Sequence, residues 1–325
     1  MKIIHMADMH FDAPFAQLSN KKQLGNIRRL EQRKAFKKMI EYIKENEIEY
    51  LLIAGDLYEN EYIRKSTIEY INSLFKEIPN TKIYIAPGNH DPYIKNSYYE
   101  TYPWNNNVKI FTSNKEKINI LLAHGDLNAS NQGELIYQPI AEKKLQEIGF
   151  DYVALGHIHK NNINESNNII YPGSMISFGF DELEKHGMVE INIEKGKLEK
   201  KLIPLDEKEF IKKEINVQEI NSTEELIEKI ENIQIEENKY VEIILTGSRN
   251  IEINSYKLEK LIQKENIIKI KDMTKIEYPL EQMANETTLK GLFIKQMLEK
   301  RKNAQTQEEI EMIEKAIEVG MEVLS

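Results

Sequence analysis

Two aspartates, one asparagine and four histidines in this sequence (Asp8, His10, Asp56, Asn89, His124, His157 and His159) are of the types that hold cations through oxygen and nitrogen. They come in five short segments: Ala7-Asp8-Met9-His10, Ala54-Gly55-Asp56, Pro87-Gly88-Asn89-His90-Asp91, Ala123-His124-Gly125-Asp126 and Leu155-Gly156-His157-Ile158-His159. Taken singly, most are weak. Asp8-x-His10 fits a cap or turn, Gly55-Asp56 a strand-end turn, and His124-Gly125 a hydrogen-bonded loop. Asn89-His90-Asp91 is stronger, because three adjacent polar residues after Pro-Gly seldom serve packing alone. The i, i+2 spacing of Asp8 with His10, and of His157 with His159, sends both members of each pair the same way in extended chain. Five of the seven histidines fall in these segments, and an ordered set of that kind marks a site of convergent ligands.

The set is too large for one tetrahedral zinc and sufficient for two cations that share a carboxylate. The chain has no cysteine, so disulfides, thiolate metal sites and thiol nucleophiles are excluded. Nitrogen and oxygen donors without sulfur fit Mn²⁺, Fe²⁺ or Zn²⁺ better than Ca²⁺ or Mg²⁺. Two dications against two carboxylates leave a net positive cluster suited to a phosphate. A water bridging them becomes a hydroxide near neutral pH. Phosphoester hydrolysis is the chemistry this set serves.

The elements that must position these residues are short. Lys2–Ala7, Tyr50–Ala54, Lys82–Ala86, Ile118–Ala123 and Tyr152–Leu155 are expected as buried strands, with amphipathic helices over 26–45, 62–77 and 134–147 between them. That alternation predicts a layered α/β domain. Each candidate segment begins where one of those strands stops, the place where open α/β sheets gather ligands. His5, inside the first strand, is expected in the core. His186, beside Gly187 among charges, is expected at a turn, and Trp104 is expected to pack.

From Ile169 to Leu205 the pattern becomes strand–turn–strand, with Gly187 and Lys195-Gly196-Lys197 at turns. Residues 208–275 repeat a smaller α/β theme: a strand over Phe210–Val217, a helix opened by the capping box Ser222-x-x-Glu225, a strand over Tyr240–Thr246, a helix near 255–263 and a strand at 267–271. Two amphipathic helices over 286–302 and 306–324 end the sequence, the second opened by Thr306-x-x-Glu309. The expected domains are therefore 1–205, 206–275 and a helical tail over 276–325.

With 325 residues, 41% hydrophobic and 30% charged, the chain can bury a sizeable core and is neither disordered nor membrane-inserted. No run approaches the roughly 20 apolar residues of a bilayer span, and Met1-Lys2-Ile3-Ile4-His5 lacks the apolar run of a signal peptide, so a cytoplasmic location is expected. The net charge of -9 argues against coating nucleic acid by bulk electrostatics. Residues 1–40 nevertheless carry nine Lys and Arg against three Asp and Glu. Arg33, Lys34, Lys37 and Lys38 are read as a solvated helix face, with phosphate contact the alternative.

The five ordered segments resemble the motifs of the calcineurin-like metallophosphoesterase superfamily. Within it, the opening Ile4-His5-Met6-Ala7-Asp8-Met9-His10-Phe11-Asp12-Ala13-Pro14-Phe15 and Tyr171-Pro172-Gly173-Ser174 resemble the SbcD-type DNA repair exonucleases, in particular their YhaO-like branch. The resemblance implies a four-layer α/β/β/α sandwich with a small α/β cap domain and a helical C-terminal tail. It implies one metal on Asp8, His10, Asp56 and His159 and another on Asp56, Asn89, His124 and His157, with Asp56 bridging. It implies that His90 is not a ligand but contacts phosphate and assists the leaving oxygen, with Asp91 orienting it. Two divalent ions, Mn²⁺ first, a DNA substrate, an SbcC-type coiled-coil ATPase docked on the tail, and a homodimer follow from the same resemblance. A phosphodiesterase or phosphatase on small nucleotides, and a mainly structural partner of the ATPase, are the alternatives. The departure is Glu59: many nuclease members have a histidine three residues after the bridging aspartate. A carboxylate there repels phosphate unless it is paired or pointed away.

Overall fold

Apolar runs with polar ends become strands whose alternate side chains feed two different cores. The computed structural model describes residues 1–15, 24–111, 120–127, 138–165, 167–194, 197–276 and 278–324. Chain order begins with β1 (Lys2–Met6), α1 (Leu24–Glu45), β2 (Tyr50–Ala54), α2 (Lys65–Lys76), β3 (Lys82–Ala86), α3 (Tyr98–Thr101) and β4 (Val108–Ile110). It continues with β5 (Ile120–His124), α4 (Glu142–Ile148), β6 (Tyr152–Gly156), β7 (Ile169–Ile170), β8 (Gly187–Glu194) and β9 (Lys197–Pro204).

β1 to β4 run parallel, and β8 and β9 extend the sheet antiparallel on the other side of β1, in the order β4-β3-β2-β1-β8-β9. β5, β6 and β7 form a second, parallel sheet. Ile4, Met6, Leu51, Ile53, Ile83 and Ile85 share a core with Phe36, Met39, Ile40 and Ile43 of α1 and Ile68, Ile71 and Phe75 of α2. Ile3, Leu52, Tyr84 and Val189, on the opposite face, share a core with Tyr152, Ala154 and Ile170 of the second sheet. Val153 and Leu155, on that sheet's far face, pack with Leu145 of α4. Central strands covered on both faces must be apolar throughout, which is why these runs stand out in the sequence.

Three local expectations shift. α2 begins at Lys65 rather than 62, because Asp12 Oδ2 accepts from the Arg64 amide at 3.2 Å and from Thr67 Oγ1 at 2.7 Å, capping the helix there. α4 begins only at Glu142: Ile140 bridges Leu127, and 134–137 lie outside the described residues. Gly187 opens β8 instead of forming a turn, and Lys195-Gly196 lie outside the described residues. The basic face of α1 is met by acids of the protein itself, with Lys34 and Lys38 on Glu207 and Arg33 on Asp12. His5 is fully buried, as expected, and Trp104 packs among Phe75, Tyr99 and Tyr102.

The remainder comprises β10 (Glu209–Asn216), α5 (Thr223–Glu231), β11 (Lys239–Thr246), β12 (Ser248–Arg249), α6 (Ser255–Leu261), β13 (Ile267–Asp272), β14 (Lys275–Ile276), α7 (Leu280–Met283), α8 (Leu289–Asn303) and α9 (Gln307–Val323). Contacts divide the chain into two compact units, one of residues 1–213, 233–243 and 263–270, the other of 214–232, 244–262 and 271–325. In the second, Ser222 and Thr306 cap α5 and α9 by accepting from the amides of Glu225 and Glu309. α8 and α9 bury Ile294, Ile317 and Met321 against one another. Among the described residues no helix is long and apolar enough to cross a membrane.

Candidate metal centre

The ligand candidates leave the sheets where the strands stop, and the backbone turns sharply to bring them inward. Asp8, His10, Asp56 and His157 have positive φ of 51°, 49°, 51° and 104°, a region non-glycine residues seldom occupy and one that clusters at functional sites. The Asp8 amide donates to the Gly55 carbonyl at 3.2 Å and the His10 amide to the Asp56 carbonyl at 2.9 Å, so the ends of β1 and β2 stay tied beyond the sheet. Two glycines make room for His124. A Cβ at Gly55, whose φ is +84°, would lie 2.3 Å from His124 Nδ1, and one at Gly156 would lie 1.7 Å from the Ala54 carbonyl oxygen.

All seven candidates meet in one cluster. His10 Nε2 faces His159 Nε2 at 3.2 Å, and Asp56 Oδ2 lies 3.7 Å from His10 Nε2 and 3.2 Å from His124 Nε2. Asn89 Oδ1 is 2.9 Å from His124 Nε2 and 3.3 Å from His157 Nδ1. Asp8, His10 and His159 offer ligand atoms within 4.8 Å of one another, as do Asp8, Asp56 and His124, and also His10, Asp56 and His90. Asp8 also accepts from the His157 amide at 3.1 and 3.2 Å.

Residues 1–161 match the calcineurin-like phosphoesterase family. Over those residues the chain is similar to calcineurin-like phosphoesterases. It is also similar to a Bacillus subtilis (strain 168) protein named uncharacterized metallophosphoesterase YhaO, at 25% identity over 240 residues that cover 60% of this chain and 58% of the relative. The chain therefore spans less than two thirds of that relative's length.

The metallophosphoesterase donor set fits cations. The carboxylates of Glu59 and Glu182 accept hydrogen bonds from Nδ1 of His10 and His159, at 2.7 and 2.6 Å, which leaves two Nε2 lone pairs aimed at each other beside Asp56. A cation is the partner such lone pairs require. Burial pushes Asp56 up, but the hydrogen bond and charge of His124, with His10, outweigh it and hold its pKa at about 2. Burial lowers His124, yet Asp56 and Asp8 raise it to about 9, so without metal the two form an ion pair. Asp8 is raised by burial, against the pull of His159, His124 and His10.

The environment of His90 departs from expectation. Asp91 does not face it: Asp91 accepts from the amides of Asp56, Leu57 and Gly88 at 3.0, 2.6 and 2.6 Å and from Tyr99 Oη at 2.6 Å. It is a buried brace for the turns that carry Asp56 and Asn89, and burial together with the charge of Asp56 raises its pKa to about 7. The carboxylate on His90 is Glu59, whose Oε2 accepts from His90 Nδ1 at 3.0 Å. Both oxygens of Glu59 are thus paired with imidazoles, which answers the repulsion a free carboxylate would exert. Burial raises Glu59, but His10 and His90 hold it down at about 2. Glu182 was not singled out by motif; it lies 23 residues beyond the histidine it holds. His186 is no exposed turn residue: it is buried, with Nδ1 at 2.8 Å from Ser174 Oγ.

Proposed function

We propose that this chain is a metal-dependent DNA nuclease, the nuclease subunit of an SbcCD-like repair complex. The observation that carries the reading is the convergence of His10 Nε2, His159 Nε2 and His124 Nε2 around Asp56, with the exposed His90 beside them. Asp8, His10, Asp56 and His159 would hold one divalent ion, and Asp56, Asn89, His124 and His157 the other, Mn²⁺ being the first choice. When bound, such a pair supplies positive charge for phosphate oxygens and an acidified water for attack on phosphorus.

The chain's own residues do the rest. Asp56, central to both sets, fixes their spacing. His90 donates from Nδ1 to Glu59, and the hydrogen bond to that carboxylate raises its pKa. His90 therefore retains a proton to pass from Nε2 to the leaving oxygen. The packing of helices, two sheets and α4 supports an α/β/β/α sandwich. On this reading 1–205 are the nuclease domain and 206–275 a cap over DNA, in a cytoplasmic protein that can dimerise. The tail docks on a coiled-coil ATPase of the SbcC type, which the exposed Leu289, Leu292 and Met312 support.

The test is Mn²⁺-dependent cleavage of linear single- and double-stranded DNA by wild type and His90→Ala. Cleavage is expected from wild type, with turnover reduced about 10²–10⁴-fold in the variant while its metal content is unchanged. A metal-loaded wild type that hydrolyses small phosphodiesters and leaves all DNA intact would replace the nuclease with a nucleotide phosphodiesterase.

A further inference from the structure

Among the described residues three aromatic side chains are exposed, Tyr62, Tyr93 and Tyr256. Lys260 Nζ covers the Tyr256 ring at 4.0 Å. Tyr62 and Tyr93, 52% and 42% exposed, stand on the two loops that carry Glu59 and His90. The Asn60 amide donates to the His90 carbonyl at 2.9 Å and ties those loops together. Tyr62 follows Asn60 by two residues and Tyr93 follows His90 by three, a stretch of at most about 11 Å of chain. Ile94, beside Tyr93, is exposed as well.

Both loops are held by hydrogen bonds. The amides of Tyr62 and Ile63 donate to the Glu59 carbonyl at 3.0 and 2.8 Å, and Ile63 packs against the main core. The Arg64 amide donates to Asp12 Oδ2 at 3.2 Å. Beyond Tyr93, the Ser97 amide donates to the Ile94 carbonyl at 3.0 Å and the Asn96 amide to Glu100 Oε2 at 2.6 Å. Rings kept in water by fixed backbone are preorganised for a planar ligand. Charge on these segments favours an anion. Arg64, Lys65 and Lys95 are exposed. Of the acids, Glu59 is taken by His10 and His90, Glu69 by Lys65 and Glu100 by the Asn96 amide. That leaves Arg64 and Lys95, in no ion pair among the described residues, against the exposed Glu61.

We propose that Tyr62 and Tyr93, with Arg64 and Lys95, form a subsite for a single DNA strand on the leaving-oxygen side of the scissile phosphate. His90 is the group assigned to the leaving oxygen, so the chain that continues from that oxygen passes over the loops flanking His90. Exposed aromatic rings among cations bind unpaired bases by stacking and the backbone by charge. A duplex keeps its bases stacked on one another and offers these rings no free face. The inference rests on the nuclease reading above and adds the form of the strand and the residues that hold it.

The test is equilibrium binding of a fluorescent oligothymidylate to the chelator-stripped full chain, read by anisotropy over a range of salt. All four side chains are exposed, so their substitution leaves the fold intact. Tyr62→Ala and Tyr93→Ala should each weaken binding about 5–150-fold, the loss of one stacked base. Tyr62→Phe and Tyr93→Phe, which keep the ring, should bind like wild type. Arg64→Gln and Lys95→Gln should each reduce the slope of log affinity against log salt by about 0.7, one phosphate contact to a single strand. The duplex with oligodeoxyadenylate should bind more weakly than the single strand. Alanine variants that bind as wild type does, while wild type cleaves the strand with Mn²⁺, would overturn the subsite and leave the nuclease reading standing. That is also the result if these loops serve a protein partner. A wild type that binds no oligonucleotide and cleaves none with Mn²⁺ would overturn both.

Discussion

Glu59 joins His10 to His90: one carboxylate oxygen accepts from His10 Nδ1 at 2.7 Å and the other from His90 Nδ1 at 3.0 Å. A proposed metal ligand and the proposed proton donor are therefore oriented by one side chain. With both ring protons directed at Glu59, each imidazole turns Nε2 away from it, that of His10 toward His159 and Asp56.

Glu59→Gln should accordingly lower turnover at saturating Mn²⁺ by about 10²-fold, within the range of a misplaced general acid. In a His90→Ala background the same change should add little, because residues in one network are not additive. Steady-state rates for the four proteins of that double-mutant cycle, on a small phosphodiester, measure the coupling. Independent losses would show that Glu59 does not act through His90.

Asp56 lies within 3.7 Å of His10 Nε2 and 3.2 Å of His124 Nε2, one histidine from each proposed set. Asp56→Asn should therefore reduce metal content from two ions toward none, with activity falling in step. Elemental analysis after dialysis at a fixed free Mn²⁺ concentration gives the answer. Clean loss of one ion beside a fully retained second would remove the bridging role.

What could be read from the sequence and what could not divide along a physical line. Asp8, His10, Asp56, Asn89, His124, His157 and His159 were legible because each follows the end of an apolar run, and adjacency to a strand end is a local property. The partners of those residues were not. Asp91 sits next to His90, yet its direction is set by amides of Asp56 and Leu57, contributed by the turn after β2 and invisible to local spacing. Glu59 and Glu182 reach imidazoles 31 and 23 residues away, and charged residues in loops carry no periodicity. His186, flanked by Lys185 and Gly187, has the local pattern of a turn, but the buried Ser174 hydroxyl draws it inside. The strands over Tyr50–Ala54 and Lys82–Ala86 match their apolar runs residue for residue, whereas Ile140, expected within a helix, bridges Leu127 instead and α4 begins at Glu142.

Arg28 is fully buried on α1, paired with Asp206 and Glu31, and donates to the Ser177 carbonyl at 2.8 Å. Asp206 also accepts from the Ser177 amide at 2.8 Å, so the pair anchors the segment that leads to Phe178 over the metal centre. Removing one partner of a buried pair leaves an uncompensated charge, at about 3–5 kcal/mol. Arg28→Ala should destabilise the protein by that amount in urea unfolding, and Arg28→Ala with Asp206→Asn by less than the sum of the single changes. A loss below about 1 kcal/mol, the range of exposed pairs, would mean that the network is dispensable.

The last expectation concerns pH and follows from His124. In the metal-free protein its pKa is raised to about 9 from an ordinary 6.5: burial opposes the charge, but Asp56 and Asp8 outweigh it. A histidine raised on folding contributes stability that is fully present below the unfolded value and is lost as pH climbs through the folded one. Metal-free protein should thus lose stability between about pH 6.5 and 9. Cation binding should move the opposite way, because a ligand imidazole must shed its proton first. Below about pH 9 the deprotonated fraction of His124 falls tenfold per pH unit, so Mn²⁺ affinity for its site should fall as pH drops from 9 toward 6.5. His124→Asn should flatten both dependences together. Calorimetric Mn²⁺ titrations and urea unfolding of chelator-stripped protein across that window measure them, and an affinity independent of pH would show that His124 is not a ligand.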